Sequence, residues 1–250
     1  MKINCLDHGY VKLLNISGAA RRAYIYGCIG EDGLTGIEVG PTFDAKDIDP
    51  AICARISFNN FEEERTEEQD MKLVEYLIAN EHWTPLEMTT IWLEFKLPIF
   101  IARQFHRHRM QAINEVSGRY TTLPAEWYIP EVIGGKSTTG AKQGQEDNLD
   151  ANCQKEFKKH LDRMCSESYE LYLTALKNNV APEHARLFLH LNHYTTYISK
   201  MDLRNMFNFL SLRLDSHAQI EARIYATAIY NILKTYLPET MKLFDKYKRK

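Results

Sequence analysis

Between positions 89 and 98 the chain leaves itself little choice of conformation. Thr89, Ile91, Leu93, Phe95 and Leu97 alternate with Thr90, Trp92, Glu94 and Lys96. Successive side chains of a strand point to opposite faces, so this pattern buries one face and leaves the other wet. Pro98 follows at once, and as the first residue of a helix it forfeits no backbone hydrogen bond. The helix it opens would turn Ile99, Ala102, Phe105 and His106 inward and run out near Arg109. Chemistry at the end of that helix is therefore carried on a rigid strand-to-helix unit.

The remaining segments supply the layers around it. Residues 1–58 are rich in β-branched and aromatic residues and carry glycines at 27, 30, 33, 36 and 40, which suggest hairpin or loop turns. Thr66 and Gln69 form a capping box. The helix behind it places Met71, Val74, Leu77 and Ile78 on one face, a core stripe. Residues 157–177, 182–194, 202–214 and 216–236 have helical apolar spacing. Residues 134–152, with four glycines among polar residues, read as a mobile surface loop. The expected fold class is α/β of the α+β type: one domain over 1–250, a mostly antiparallel sheet packed with helices, and a helical C-terminal half.

Composition narrows the function classes. No apolar run approaches the length that crosses a bilayer, and charge enters the first residues too early for a secretory signal, so a cytoplasmic protein is expected. The five cysteines, Cys5, Cys28, Cys53, Cys153 and Cys165, are scattered and lack Cys-x-x-Cys spacing; they read as buried reduced thiols. A net charge of −2 argues against a protein that coats nucleic acid.

Against that balance, residues 103–120 gather Arg103, Arg107, Arg109 and Arg119 beside His106, His108, Glu115 and Ser117. Guanidiniums repel one another unless anions hold them, and their donor forks suit phosphate oxygens. A phosphorylated small molecule is the ligand this implies; a solvated basic face is the plainer alternative. A second polar set, Arg204, Asn208 and Arg213, precedes Asp215, Ser216 and His217. Arg204 and Asn208 share a helix face, turned either to solvent or to the first cluster, in this chain or another subunit.

Other chemistries fit less well. Ser117 lies in Glu115-Val116-Ser117-Gly118-Arg119, which is not the strained elbow of an acyl enzyme. His184, His190 and His193 lack the spacing of a zinc helix, and no metal is expected. His82, beside Trp83, Thr84 and Pro85, reads as a loop histidine or a site residue. Glycine-rich phosphate cradles are absent, so any nucleotide is gripped by side chains.

Arg107-His108-Arg109 with Ser117 eight residues on, flanked by Arg103, Gln104, Asn114, Glu115, Gly118, Arg119 and Tyr120, resembles the signature of flavin-dependent thymidylate synthases. The resemblance extends to His82, Thr84, Pro85 and Glu87, to Arg55 and Ser57, to Ala185 and Arg186, and to Arg204, Asn208, Phe209, Arg213, Asp215, Ser216, His217, Ala218 and Gln219. It implies the thymidylate synthase-complementing protein fold and a homotetramer with shared active sites. It also implies FAD as cofactor and the reductive methylation of dUMP to dTMP. The carbon would come from methylenetetrahydrofolate and the electrons from NADPH, releasing tetrahydrofolate.

Residue by residue, the resemblance gives Arg107, His108, Arg109 and Glu115 to the flavin and its phosphates. Ser57, Thr84, Arg204, Asn208 and His217 complete that pocket, and His82 stacks on the flavin's open face. Gln104, Arg107, Glu115, Ser117, Gly118, Arg119 and Arg186 line the dUMP site, with Arg119 and Arg186 on its phosphate. Arg213 sits against the uracil edge, where a fixed cation favours loss of the N3 proton. Three departures stand out: Asp202 where the family has Asn, His190 in place of a proline, and an apparent insertion at 19–41. Asp202 motivates a rival reading, a related pyrimidine nucleotide methylase or hydroxymethylase. An RNA-binding relative without catalysis is the rival from another class, and the charge balance opposes it.

Overall fold

The computed structural model describes residues 1–18, 45–58, 65–136, 145–146 and 149–249. A hairpin of β1 (Lys2–Cys5) and β2 (Gly9–Ser17) leads to α1 (Asp49–Arg55) and α2 (Glu67–Ala79). β3 (Thr90–Pro98) runs straight into α3 (Ile99–Phe105), and β4 (Gln111–Glu115) returns. A two-residue ladder, β5 (Gly135–Lys136) with β6 (Gln145–Glu146), precedes the long α4 (Ala151–Lys177). Short α5 (Pro182–Ala185) leads to β7 (Tyr194–Asp202). α6 (Leu203–Arg213), α7 (Ile220–Tyr236) and α8 (Pro238–Tyr247) complete the chain.

The main sheet has the order β1-β2-β3-β7-β4 with antiparallel neighbours throughout. The alternation in β3 works as its pattern demands. Ile91, Leu93, Phe95 and Leu97 are buried, while Trp92 lies on the opposite, exposed face. Buried Tyr197 and Met201 of β7 stand opposite Phe95 and Ile91. Phe105, Met206, Phe207, Leu210 and Ile229, from α3, α6 and α7, join the same core. Each such side chain taken from water stabilises the fold by roughly 1.5–3 kcal/mol.

Helix ends follow local chemistry. Thr66 Oγ1 accepts from the Gln69 N–H at 3.3 Å and the Gln69 amide oxygen accepts from the Thr66 N–H at 3.1 Å, the expected capping box. Asp202 caps α6: one carboxylate oxygen accepts the Asn205 N–H at 2.8 Å, the other the Asn205 side-chain amide at 2.7 Å.

The structure corrects several expectations. Residues 182–194 are not one helix: α5 and a 3-10 turn at Arg186–Phe188 end it, and β7 begins at Tyr194. The first helix after β3 stops at Phe105, short of Arg109, and Asn114 and Glu115 belong to an edge strand instead of a loop. α1 and α8 were not foreseen. Of the expected loop at 134–152, the ends form the β5–β6 ladder and the start of α4; 137–144 and 147–148 lie outside the described residues, as does the 19–41 insertion. Cys153 is exposed, whereas Cys5 and Cys165 are buried. Among the described residues no helix is long and apolar enough to cross a membrane.

Candidate active site

The turn after α3 is built to present the Arg107-His108-Arg109 triplet. Gln111 folds its side-chain amide back, donating to the carbonyls of Phe105 at 2.8 Å and His108 at 2.7 Å, and so closes the helix end. Met110 takes a left-handed conformation, φ 62°, to swing the chain into β4. A non-glycine residue there holds roughly 1–3 kcal/mol of strain. Arg103, Gln104, His106 and Arg107 line an open depression of about 480 Å³ beside this turn.

α6 delivers Arg213 to the same place. Its Nε donates to His108 Nε2 at 2.9 Å and its Nη2 to the Gln104 carbonyl at 3.0 Å. His108 can accept only while neutral. Burial first, and the Arg213 charge second, push its pKa down to about 4. The His108 ring packs against Phe209 with centroids 4.7 Å apart. Burial, and then the nearby Arg107, lower the pKa of Arg213 itself. The Gln104 amide donates in turn to Gln219.

A second group forms where the loop after β4 meets α5. Ser117 Oγ accepts from the Arg119 N–H at 3.3 Å. A Cβ at Gly118 would lie 3.1 Å from a Leu123 methyl and 3.4 Å from Arg186 Cδ, so the glycine lets the Arg186 stem pass close by. Arg119 Nε faces Glu183 Oε2 at 3.3 Å. Glu115 accepts from the Thr195 hydroxyl at 2.5 Å. Hence Ser117, Gly118, Arg119 and Arg186 are neighbours.

A third group lines a cleft of about 650 Å³. Ser57, His82 and Thr84 share its walls with Cys53, Ala54, Ile56, Leu77, Pro85 and Met88. Ile56 and Met88 are exposed there, an apolar surface that asks for cover. Arg204 is ion-paired with Glu87 in the turn just beyond Thr84, and Asn208 is exposed one turn along α6. His217 is also exposed; its Nδ1 and its N–H meet Asp215 at 2.9 and 2.8 Å.

Arg204 and Arg213 lie about two and a half turns apart on α6 and so point to opposite sides. Among the described residues no hydrogen bond or ion pair links Arg119 or Arg186 to Arg213. Sequence reasoning missed Glu183, Gln111, Thr195 and the role of Glu87. The one available signal was the position of Glu183, a helical turn before Arg186.

Residues 42–239 match the family described as thymidylate synthase complementing protein, Thy1. The flavin-dependent thymidylate synthase of Gluconobacter oxydans is 40% identical over 248 residues, covering 97% of this chain and 72% of that one. That of Thermotoga neapolitana is 36% identical over 247 residues, with 99% and 95% covered. In solved structures, the fold is that of the UMP/dUMP methylase PolB from Streptomyces cacaoi bound with 5-Br dUMP. The TM-score is 0.78 at 22% identity, over 99% of each chain. The extent of these matches, over a chain that places the signature arginines on a strand-to-helix platform, makes it a member of the thymidylate synthase complementing protein family, that of the flavin-dependent thymidylate synthases.

Proposed function

We propose that the protein methylates dUMP reductively to dTMP, taking carbon from methylenetetrahydrofolate and using FAD reduced by NADPH. The observation that carries this reading is the setting of Arg213. Its guanidinium is half-buried and fixed by a neutral imidazole and a backbone carbonyl, yet no carboxylate pairs with it among the described residues. A held cation without an anion suits a ligand that acquires negative charge during reaction.

The residues present fit FAD. The cleft at Ser57, His82 and Thr84 offers an exposed apolar surface for a planar ring and hydroxyls for its polar rim. The guanidiniums of Arg107 and Arg109, on either side of His108 in the same turn, suit a diphosphate. When bound, FAD supplies the redox chemistry that turns the transferred carbon into a methyl group. Arg213 favours loss of the uracil N3 proton, which makes the ring carbon more nucleophilic. Arg119 and Arg186 hold the nucleotide phosphate, while Gln104, Glu115, Ser117 and Gly118 orient it. Arg204, Asn208 and His217 complete the cofactor pocket, and His82 guards the face where the co-substrates arrive in turn.

The opposite orientations of Arg204 and Arg213 support a homotetramer whose sites combine groups from several subunits. A single domain over 1–250 fits a sheet that draws strands from both halves of the chain. A cytoplasmic location belongs to the same reading, supported by the free thiols of Cys5, Cys53, Cys153 and Cys165 among the described residues. The carboxylate of Asp202 caps its own helix through Asn205, and product mass on dUMP versus dCMP separates this reading from a related pyrimidine nucleotide methylase or hydroxymethylase. The test is an absorbance spectrum with and without dUMP, followed by assay of joint consumption of dUMP, methylenetetrahydrofolate and NADPH. Yellow protein with that activity is expected. A colourless protein that takes up neither FAD nor dUMP would overturn the reading.

A further inference from the structure

His82 sits in a tight turn whose geometry depends on the other end of the chain. The residue before it, Glu81, is left-handed at φ 59°, and the His82 N–H donates to the Leu77 carbonyl at 2.8 Å. Lys248, just past α8, reaches this turn. Its ammonium donates to Glu81 Oε1 at 2.7 Å and lies 4.7 Å from the centroid of the Trp83 ring. One cation therefore grips both sequence neighbours of His82. The hydrogen bond and then the charge of Lys248 hold the Glu81 carboxyl below the usual range.

Lys248 is itself tied down. Its side chain is 18% exposed, against 60% for Lys246 two residues earlier, so it is not a free surface lysine. Its N–H donates to the Phe244 carbonyl at 2.8 Å, and its carbonyl accepts from Ser211 Oγ at 2.9 Å. Ser211 belongs to α6, the helix of Arg204, Asn208 and Arg213. The lysine thus bridges two elements: its backbone is fixed to α6 and its head to the turn of His82. A left-handed glutamate is strained and relaxes unless something holds it.

We propose that Lys248 is a positioning residue that clamps the 81–83 turn, so that His82 presents its ring to the cleft shared with Ser57 and Thr84. The proposal rests on the reading of that cleft as the cofactor site. The clamp aligns the surface that methylenetetrahydrofolate and NADPH must approach, and it has no part in holding dUMP.

The test compares wild type, Lys248→Met and Lys248→Arg as full-length, FAD-loaded protein. Met keeps the stem and its packing but loses the cation; Arg keeps the charge and the contact with Trp83. For Lys248→Met, KM for methylenetetrahydrofolate and NADPH should rise by on the order of tenfold, as for a slightly misplaced binding group. KM for dUMP should stay unchanged, and Lys248→Arg should recover most of the loss. Amide hydrogen exchange at residues 81–84, measured without cofactor or substrate, should quicken in Lys248→Met and not in Lys248→Arg. Unchanged exchange would overturn the clamp, even if the cleft holds no flavin. Faster exchange with unchanged co-substrate KM would keep the contact but overturn its role. A uniform loss that includes dUMP, together with a lower Tm, would reduce Lys248 to a stabilising residue and also overturn the proposal.

Discussion

Arg213 and Arg119 carry the same charge and serve, in the proposed reaction, the same substrate, yet the fold holds them differently. Arg213 is half-buried and engaged by His108 and Gln104. Arg119 is exposed on a loop and leans on Glu183, itself exposed. An exposed pair of that kind contributes only about 0–1 kcal/mol, so a phosphate can replace the carboxylate with little loss. A desolvated, pre-oriented guanidinium cannot be rearranged so cheaply, but needs no reorganisation when charge develops beside it. In the proposed reaction, rigidity lies where charge develops on the substrate, and adaptability where its phosphate is first caught.

The contrast breaks first at Arg213. Arg213→Ala should lower the methylation rate by on the order of 10²–10³, the cost of losing one preorganised charge stabiliser, while FAD titration is unaltered. Activity within a few-fold of wild type would remove the distinction between the clusters. Next, His108→Phe should keep a ring against Phe209 but lose the acceptor. That forfeits one hydrogen bond to a charged group, a fall of about 10- to 100-fold in kcat. Should the rate hold, Arg213 is positioned by Gln104 alone.

Three smaller effects sharpen the comparison. His108 and His193 are both pushed down to about 4 by burial. Between the unfolded value of about 6.5 and that point, the unfolded chain takes protons the folded one refuses. Stability should therefore fall as pH drops from 6.5 towards 4, and be insensitive to these groups above 6.5. Urea titrations at several pH values would show it, with a shallower decline in His108→Phe. Met110→Gly relieves a left-handed residue and should stabilise by about 1 kcal/mol, or a rise of roughly 2–4 °C in Tm. An unchanged Tm would mean the turn stores no strain. Glu183→Gln should move Tm by no more than about 3 °C, since it removes only an exposed pair. A larger drop would show that the catching cluster is as rigid as the other.

Much of the platform was legible because its causes are local. The alternation in β3, the capping box of α2 and the span of α6 each follow from residues a few positions apart. β7 went unassigned because its inward face mixes Thr195 and Ser199 with Tyr197 and Met201, which blurs the period of two. The early end of α3 depends on a side chain beyond it, Gln111, and on the demand of β4 to pair with β7. The site was legible as residue types but not as pairings. Glu87 with Arg204, Glu183 with Arg119 and Thr195 with Glu115 join distant positions, and no single-sequence periodicity encodes them.

The strand order carries a consequence for how the chain is made. Among the described residues β4, which leaves the turn of the signature arginines, pairs only with β7, and β7 also completes the ladder of β3. During synthesis the edge of β3 and all of β4 must wait until Asp202 has cleared the ribosome. Until then they expose unpaired backbone that can recruit the wrong strand. Non-local pairing of this kind slows folding, so nascent chains stalled before residue 194 should be strongly dependent on chaperones.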